Sequence, residues 1–192
     1  SAARRCVEQG IIVYHGNRYY FAHDKIREAF YSAIPEREKS LIHLEAGKVL
    51  LKNFSNERND DLTDIIANHL QAGVAAVTSE EEMKFIAGLN IAASKKALTR
   101  AAWDSALVYA ETAAGITPDD CWQRDYDFAL SLHITAAEAA FLSGDIIFME
   151  RMTRAALKNI KSFMDKIPVY ELVIQAHYAL NRMQRGIEDG LN

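Results

Sequence analysis

Gly47-Lys48 comes nearest to phosphate chemistry, since a glycine-lysine step ends the loop whose backbone N–H groups and lysine cradle nucleotide phosphates. That loop needs a second glycine five residues earlier, where Ile42 stands, and it follows a strand, whereas this pair lies within a helical pattern. The motif is rejected, so the chain has no usual means of binding ATP, and no cofactor is expected within it. Carboxylates cluster at Asp60-Asp61, Glu80-Glu81-Glu82 and Asp119-Asp120. Each cluster falls at a loop or a helix start, where acidic side chains cap and solvate. His43, His69, His133 and His177 fall on separate helical stretches with no nearby Cys or second His, and Cys6 and Cys121 are isolated. Neither a zinc site nor a disulfide framework is indicated, and no metal is expected. No nucleophile has a partner base, so the chain is not expected to be an enzyme.

The elements that must position these residues are organised around positions 89–157. Apolar or small residues recur every three or four positions at Ala106, Leu107, Ala110, Ala113 and Ala114, and again at Ile146, Met149, Met152, Thr153, Ala156 and Ile160. Each run is one stripe of an amphipathic helix. Ala106 matches Met149 and Ala113 matches Ala156 at the same offset of 43 residues, and Asn90, Ala93 and Ala97 fall on His133, Ala136 and Ala140 by the same rule. Small residues at those points let helices approach closely, so each pair can stack on the next. Gly144-Asp145 supplies the permissive backbone and cap of a helix-to-helix turn.

Composition is ordinary for a globular chain of 192 residues, with 49% apolar and 25% charged residues. No apolar run approaches the roughly 20 residues of a membrane span and no leader pattern opens the chain, so the expected location is cytoplasmic, with no membrane partner. Residues 1–52 hold nine Lys/Arg against six Asp/Glu, and residues 53–192 hold thirteen against twenty. An acidic repeat array is a poor general nucleic-acid binder, because phosphate neutralisation supplies most non-specific affinity. The chain begins at Ser1 and stops in a helix-like run at Asn192, so a piece of a larger protein is expected.

In order, residues 2–9 read as a helix stopped by Gly10, and residues 11–14 and 19–22 as two strands around His15-Gly16-Asn17-Arg18. A helix over 24–34, capped by Asp24, carries Ile26, Ala29, Phe30 and Ala33 on one face and projects Lys25 and Arg27 outward. Pro35 introduces a helix to about Phe54, and residues 55–61 read as a loop. Residues 62–72 are helical with Ile65, Ile66, His69 and Leu70 inward. Ser79-x-x-Glu82 has capping-box spacing and opens a helix with Phe85, Ile86, Leu89, Ala92, Ala93 and Ala97 as its apolar positions. Pro168 opens a last helix through Leu180. The fold class is mainly α: a winged-helix-like N-terminal unit with one β-hairpin over 1–54, including a connecting helix, then a TPR-like superhelix of α-hairpins over 55–192. Trp103, Tyr126, Tyr170 and Tyr178, with Trp122 and Phe141, either line a peptide groove or fill the core between repeats.

The string Phe21-x-His23-Asp24-x-Ile26-x-x-Ala29-x-Tyr31 resembles a signature in the winged-helix part of signal-transducing ATPases with numerous domains. Ile34-Pro35-Glu36, Leu41-x-His43-x-x-x-Gly47-x-x-Leu50-Leu51, Asp64-Ile65-x-x-x-His69-Leu70 with Gly73, Leu89-Asn90-x-Ala92-x-x-x-Lys96-Ala97 and Val169-Tyr170-Glu171-Leu172 fit the same family, and the resemblance covers nearly the whole chain. It points to large bacterial sensor histidine kinases that carry protein-kinase-like and ATPase modules, and more distantly to ATP-binding transcription regulators. The resemblance implies a non-catalytic regulatory and protein-interaction module of a two-component system, relaying nucleotide state or partner binding to an output domain. Its partners would be domains of the same parent chain or a signalling protein, and ATP or ADP would bind in the parent. No phospho-acceptor string of the His-Glu-x-x-Thr-Pro type occurs. His23 would be the nucleotide-sensing candidate. The alternative is a helical region of a transcription regulator whose winged helix contacts DNA through Lys25 and Arg27, with Arg4 and Arg5.

Overall fold

Helix ends are set by local punctuation. Asp145 Oδ1 accepts from the Phe148 amide at 2.9 Å, Asp125 Oδ1 from the Phe128 amide at 3.1 Å, and Ser79 Oγ from the Glu82 amide at 3.5 Å, each satisfying an amide that a helix start leaves open. At Gly144 the chain turns left-handed, with φ 84, and its amide reaches back to Phe141. The computed structural model describes residues 2–16, 18–54 and 60–179. Within them lie ten α-helices, one 3-10 turn at Val74–Ala76 and a single two-stranded antiparallel hairpin.

The front of the chain runs α1 (Ala2–Glu8), β1 (Ile12–His15), β2 (Arg18–Phe21) and α2 (Asp24–Ala33). Ile12 pairs with Phe21, Val13 with Tyr20, Tyr14 with Tyr19 and His15 with Arg18, around a turn in which Gly16 takes φ 56 and Asn17 lies outside the described residues. Asp24 is not the cap of α2. His23 occupies that position without a side-chain cap bond, and Asp24, already inside the first turn, lies 3.4 Å from Arg27.

Then follow α3 (Glu36–Phe54), α4 (Asp60–Ala72), α5 (Glu80–Thr99), α6 (Trp103–Ile116), the short α7 (Cys121–Arg124), α8 (Tyr126–Ser143), α9 (Ile146–Asn159) and α10 (Phe163–Ala179). Of the expected loop at 55–61, residues 55–59 lie outside the described residues, and 60–61 are already helical. Pro168 stands inside α10 rather than at its opening. Proline removes one bond to the carbonyl four residues back. Here that carbonyl is Met164's, at an exposed helix end. Leu180 lies outside the described residues.

Neighbouring helices pair as α3 with α4, α5 with α6 and α8 with α9, and α8 also packs on α5, α6 and α10. Between α5, α6 and α8 the contact surface is built from alanines. Ala93, Ala106, Ala110, Ala113, Ala136, Ala139 and Ala140 are fully buried, and larger side chains such as Ile86, Leu132 and Phe148 fill the spaces between. Burying one such large side chain contributes roughly 1.5–3 kcal/mol. All the residues matched at the 43-residue offset, Asn90 with His133, Ala93 with Ala136, Ala97 with Ala140, Ala106 with Met149 and Ala113 with Ala156, are buried. Ile65, expected inward, is exposed, as are Phe85 and Ala92 among the apolar positions of α5, because the buried stripes run through Ile66, Ala67 and Leu70 in α4 and through Ile86, Ala87, Asn90 and Ile91 in α5. Each sits one helical position off its stripe.

Two glycines let α3 and α4 touch. A Cβ on Gly73 would stand 2.6 Å from the Leu44 backbone nitrogen, and one on Gly47 would stand 2.6 Å from Leu70 Cδ2. Gly47 is therefore a packing residue inside α3. Lys48 beside it pairs with Glu82 on α5 at 2.6 Å, which raises its pKa above the ordinary lysine value.

Candidate functional site

Among the described residues, side chains capable of recognition gather in several places. The first is the front unit. Its strands and α2 are rich in aromatic and β-branched residues, yet α2 buries none of its side chains, and Val13, Tyr14, Tyr19, Tyr20, Phe21, Phe30 and Tyr31 are all exposed. Tyr14 and Tyr19 rings lie 4.9 Å apart, and Phe21 and Phe30 rings 6.1 Å apart. His23, Lys25 and Arg27 are exposed at the start of α2, with Arg27 turned onto Asp24.

A chain of three rings joins this unit to the helices behind it. Tyr31 Oη on α2 lies 2.8 Å from His43 Nε2 on α3, and His43 Nδ1 lies 3.0 Å from His69 Nδ1 on α4. Lys39 Nζ stands 4.9 Å from the Tyr31 ring centre. Two imidazoles facing nitrogen to nitrogen hold one proton between them, one donating and one accepting. Burial, and then the neighbouring His43, pushes the His69 pKa below the ordinary histidine value.

The second place is a channel over α5, α8 and α10. One cleft of about 640 Å³ lies between α5 and α8, lined by Leu98, Trp103 and Leu130 with Lys95, Asp127 and Glu138. A second, of about 230 Å³, lies between α8 and α10 and includes Phe141, Leu172 and Glu171. Ile134, Glu138 and Leu142, spaced four apart along α8, line both, so the two clefts adjoin along one ridge of that helix.

The third is a cleft of about 520 Å³ on the other side of α8, between α6 and α9, with Trp122 and His133 within it and Arg151, Lys158 and Glu111 among its lining. The Trp122 and His133 rings lie 4.8 Å apart. His133 Nδ1 donates to the Ala129 carbonyl at 2.7 Å, and burial pushes the His133 pKa down. Burial likewise raises the Cys121 thiol. Among the described residues no group of three or more His, Cys, Asp or Glu side chains is placed to hold a metal ion.

The four aromatics named as a possible peptide groove are not brought together. Trp103 lines the α5–α8 cleft. Tyr126 instead packs on Trp122, donates to Asp165 at 2.8 Å and accepts from the Lys161 amide at 3.2 Å. Tyr170 is half-buried on α10, and Tyr178 is 72% exposed near the end of the same helix. Sequence reasoning missed the channel's carboxylates. Their signal was present as Asp127, Ser131, Thr135 and Glu138, polar positions at helical spacing along an otherwise apolar α8.

No family model matches the chain, and no solved structure matches it. In an alignment 168 positions long that covers 75% of this chain, it is 24% identical to the hybrid signal transduction histidine kinase G of Dictyostelium discoideum. The chain spans about 5% of the length of that curated relative. The similarity is distant. No helix among the described residues is long and apolar enough to cross a membrane.

Proposed function

We propose that this chain is a non-catalytic regulatory module of a multidomain signalling ATPase, a sensor histidine kinase, in which a winged-helix-like front unit couples a nucleotide-binding core to a TPR-like array of helical hairpins. The observation that carries the reading is the similarity to a histidine kinase over three-quarters of the chain, although the chain spans only a twentieth of that protein. The exposed aromatic surface of the front unit supports a docked neighbour, and the Tyr31–His43–His69 chain supports a mechanical connection from that neighbour into the helices. His23 would meet the phosphate of ATP or ADP held by the core, since an imidazole at a strand-to-helix turn donates to phosphate when its tautomer suits.

The test uses the full-length parent. His23→Ala is expected to lower nucleotide retention, and Tyr20→Ser with Phe30→Ser to alter autophosphorylation without removing it. Unchanged retention removes the sensing role. ATP hydrolysis by the isolated 192-residue chain contradicts a non-catalytic module, and retardation of duplex DNA that weakens steeply with salt favours the transcription-regulator reading.

A further inference from the structure

The channel over α5, α8 and α10 combines an apolar floor with an excess of negative charge, three carboxylates against Lys95. Leu98, Trp103, Leu130, Ile134, Phe141 and Leu172 are partly or wholly buried along it, and Leu142 stands 38% exposed where the two clefts meet. Three carboxylates, Asp127, Glu138 and Glu171, line the same channel, and all three are exposed. None of them has an ion-pair partner among the described residues, whereas Asp64, Glu80, Glu82 and Asp125 elsewhere on the array each do. The one lysine of the channel, Lys95, is engaged with Ser131 Oγ at 2.7 Å.

We propose that this channel is a docking site for a peptide segment in which Lys or Arg side chains flank apolar ones. The inference rests on the reading of the array as an interaction module and adds the chemistry of the partner. Apolar side chains of the segment cover the Trp103, Ile134 and Leu142 floor, and its cations meet Asp127, Glu138 and Glu171. Opposite charge around an apolar centre fixes register and rejects acidic segments, which like charge repels.

The probe is a fluorescein-labelled peptide of fourteen residues with leucines and lysines at helical spacing, compared with a twin in which every lysine is glutamate. Binding is read by fluorescence anisotropy on the 192-residue chain. The lysine peptide is expected to bind, and the glutamate twin to bind about tenfold more weakly or not at all. Glu138→Gln with Glu171→Gln is expected to weaken the lysine peptide by about five- to tenfold. Glu111→Gln with Glu150→Gln, an equal change of charge outside the channel, is expected to leave it within about twofold. Leu142→Arg, which puts a like charge on the floor, is expected to abolish binding while the circular dichroism stays unchanged.

Equal losses from the two glutamine pairs would mean that general acidity attracts the peptide, and would overturn the proposal. So would equal binding of the two twins, or self-association of the chain that Leu142→Arg removes, which would make a second copy the occupant. If the channel fails these tests while front-surface variants still alter the parent's output, only this inference falls. If deleting the array leaves the parent's output unchanged, the module reading falls as well.

Discussion

Ala101 and Gly144 occupy the same corner of two successive helical hairpins, 43 residues apart, and both are left-handed, with φ 55 and φ 84. The surrounding bonds match. The amides of Ala101 and Gly144 reach Leu98 and Phe141, and those of Ala102 and Asp145 reach Ala97 and Ala140 at 2.9 Å in each case. Only the second corner has residue types suited to it, because an L side chain in the left-handed region costs roughly 1–2 kcal/mol and Ala102 has no side chain to cap α6.

Ala101→Gly is therefore expected to stabilise the chain by about 0.5–1 kcal/mol, the relief being partly offset by glycine's greater freedom when unfolded. Ala102→Asp, which copies the cap at Asp145, should add about 1 kcal/mol. Urea denaturation of the single and double variants checks both, and loss of stability in Ala101→Gly would contradict the equivalence of the corners.

The glycines sort by what surrounds them. Gly73→Ala drives a methyl into the Leu44 backbone and is expected to cost about 2–3 kcal/mol. Gly88 in α5 has nothing within 4 Å of its would-be Cβ, so Gly88→Ala should gain about 0.5–1 kcal/mol from helix propensity. Thermal melts of the two variants should shift in opposite directions.

Acid should weaken the fold through its buried imidazoles. Both His69 and His133 have pKa values lowered by burial from 6.5, so below pH 6.5 the unfolded chain takes up protons that the folded chain refuses. Stability is then fully present above that pH and declines as pH falls towards the folded values. For His133 the slope is at most about 1.4 kcal/mol per pH unit. His69, more open to solvent, contributes less. His133→Asn keeps a bond to the carbonyl four residues back, as Asn90 does to Ile86 at 2.9 Å, and has nothing to titrate. Urea midpoints from pH 5 to pH 8 should show a shallower acid decline in that variant.

Tyr31→Phe removes the hydroxyl that joins α2 to His43. Because the contact is partly solvated, its coupling with His43 in a double-mutant cycle should be about 0.5–1 kcal/mol. Hydrogen exchange should quicken in α2 and stay unchanged in α8 and α9.

The sequence announced what local physics controls. Ser79-x-x-Glu82, Gly144-Asp145, the Tyr-rich hairpin and the 43-residue spacing each follow from backbone preference or from one helix's own periodicity. It was silent where separate helices have to meet. Tyr31, His43 and His69 lie on three helices, and nothing within any one of them says that their rings will touch. Glu138 and Glu171 likewise share a channel only because α10 packs on α8. Ile65 and Phe85 were misplaced because one step along a helix turns a side chain through about 100°, enough to move it from core to solvent.

The alanines between α5, α6 and α8 carry a mechanical consequence. A methyl group has no rotamers and little to compress, so rods that meet through methyls keep their separation whatever lies against their outer sides. The cleft between α5 and α8 thereby keeps its width, which would limit the girth of any segment proposed to dock there.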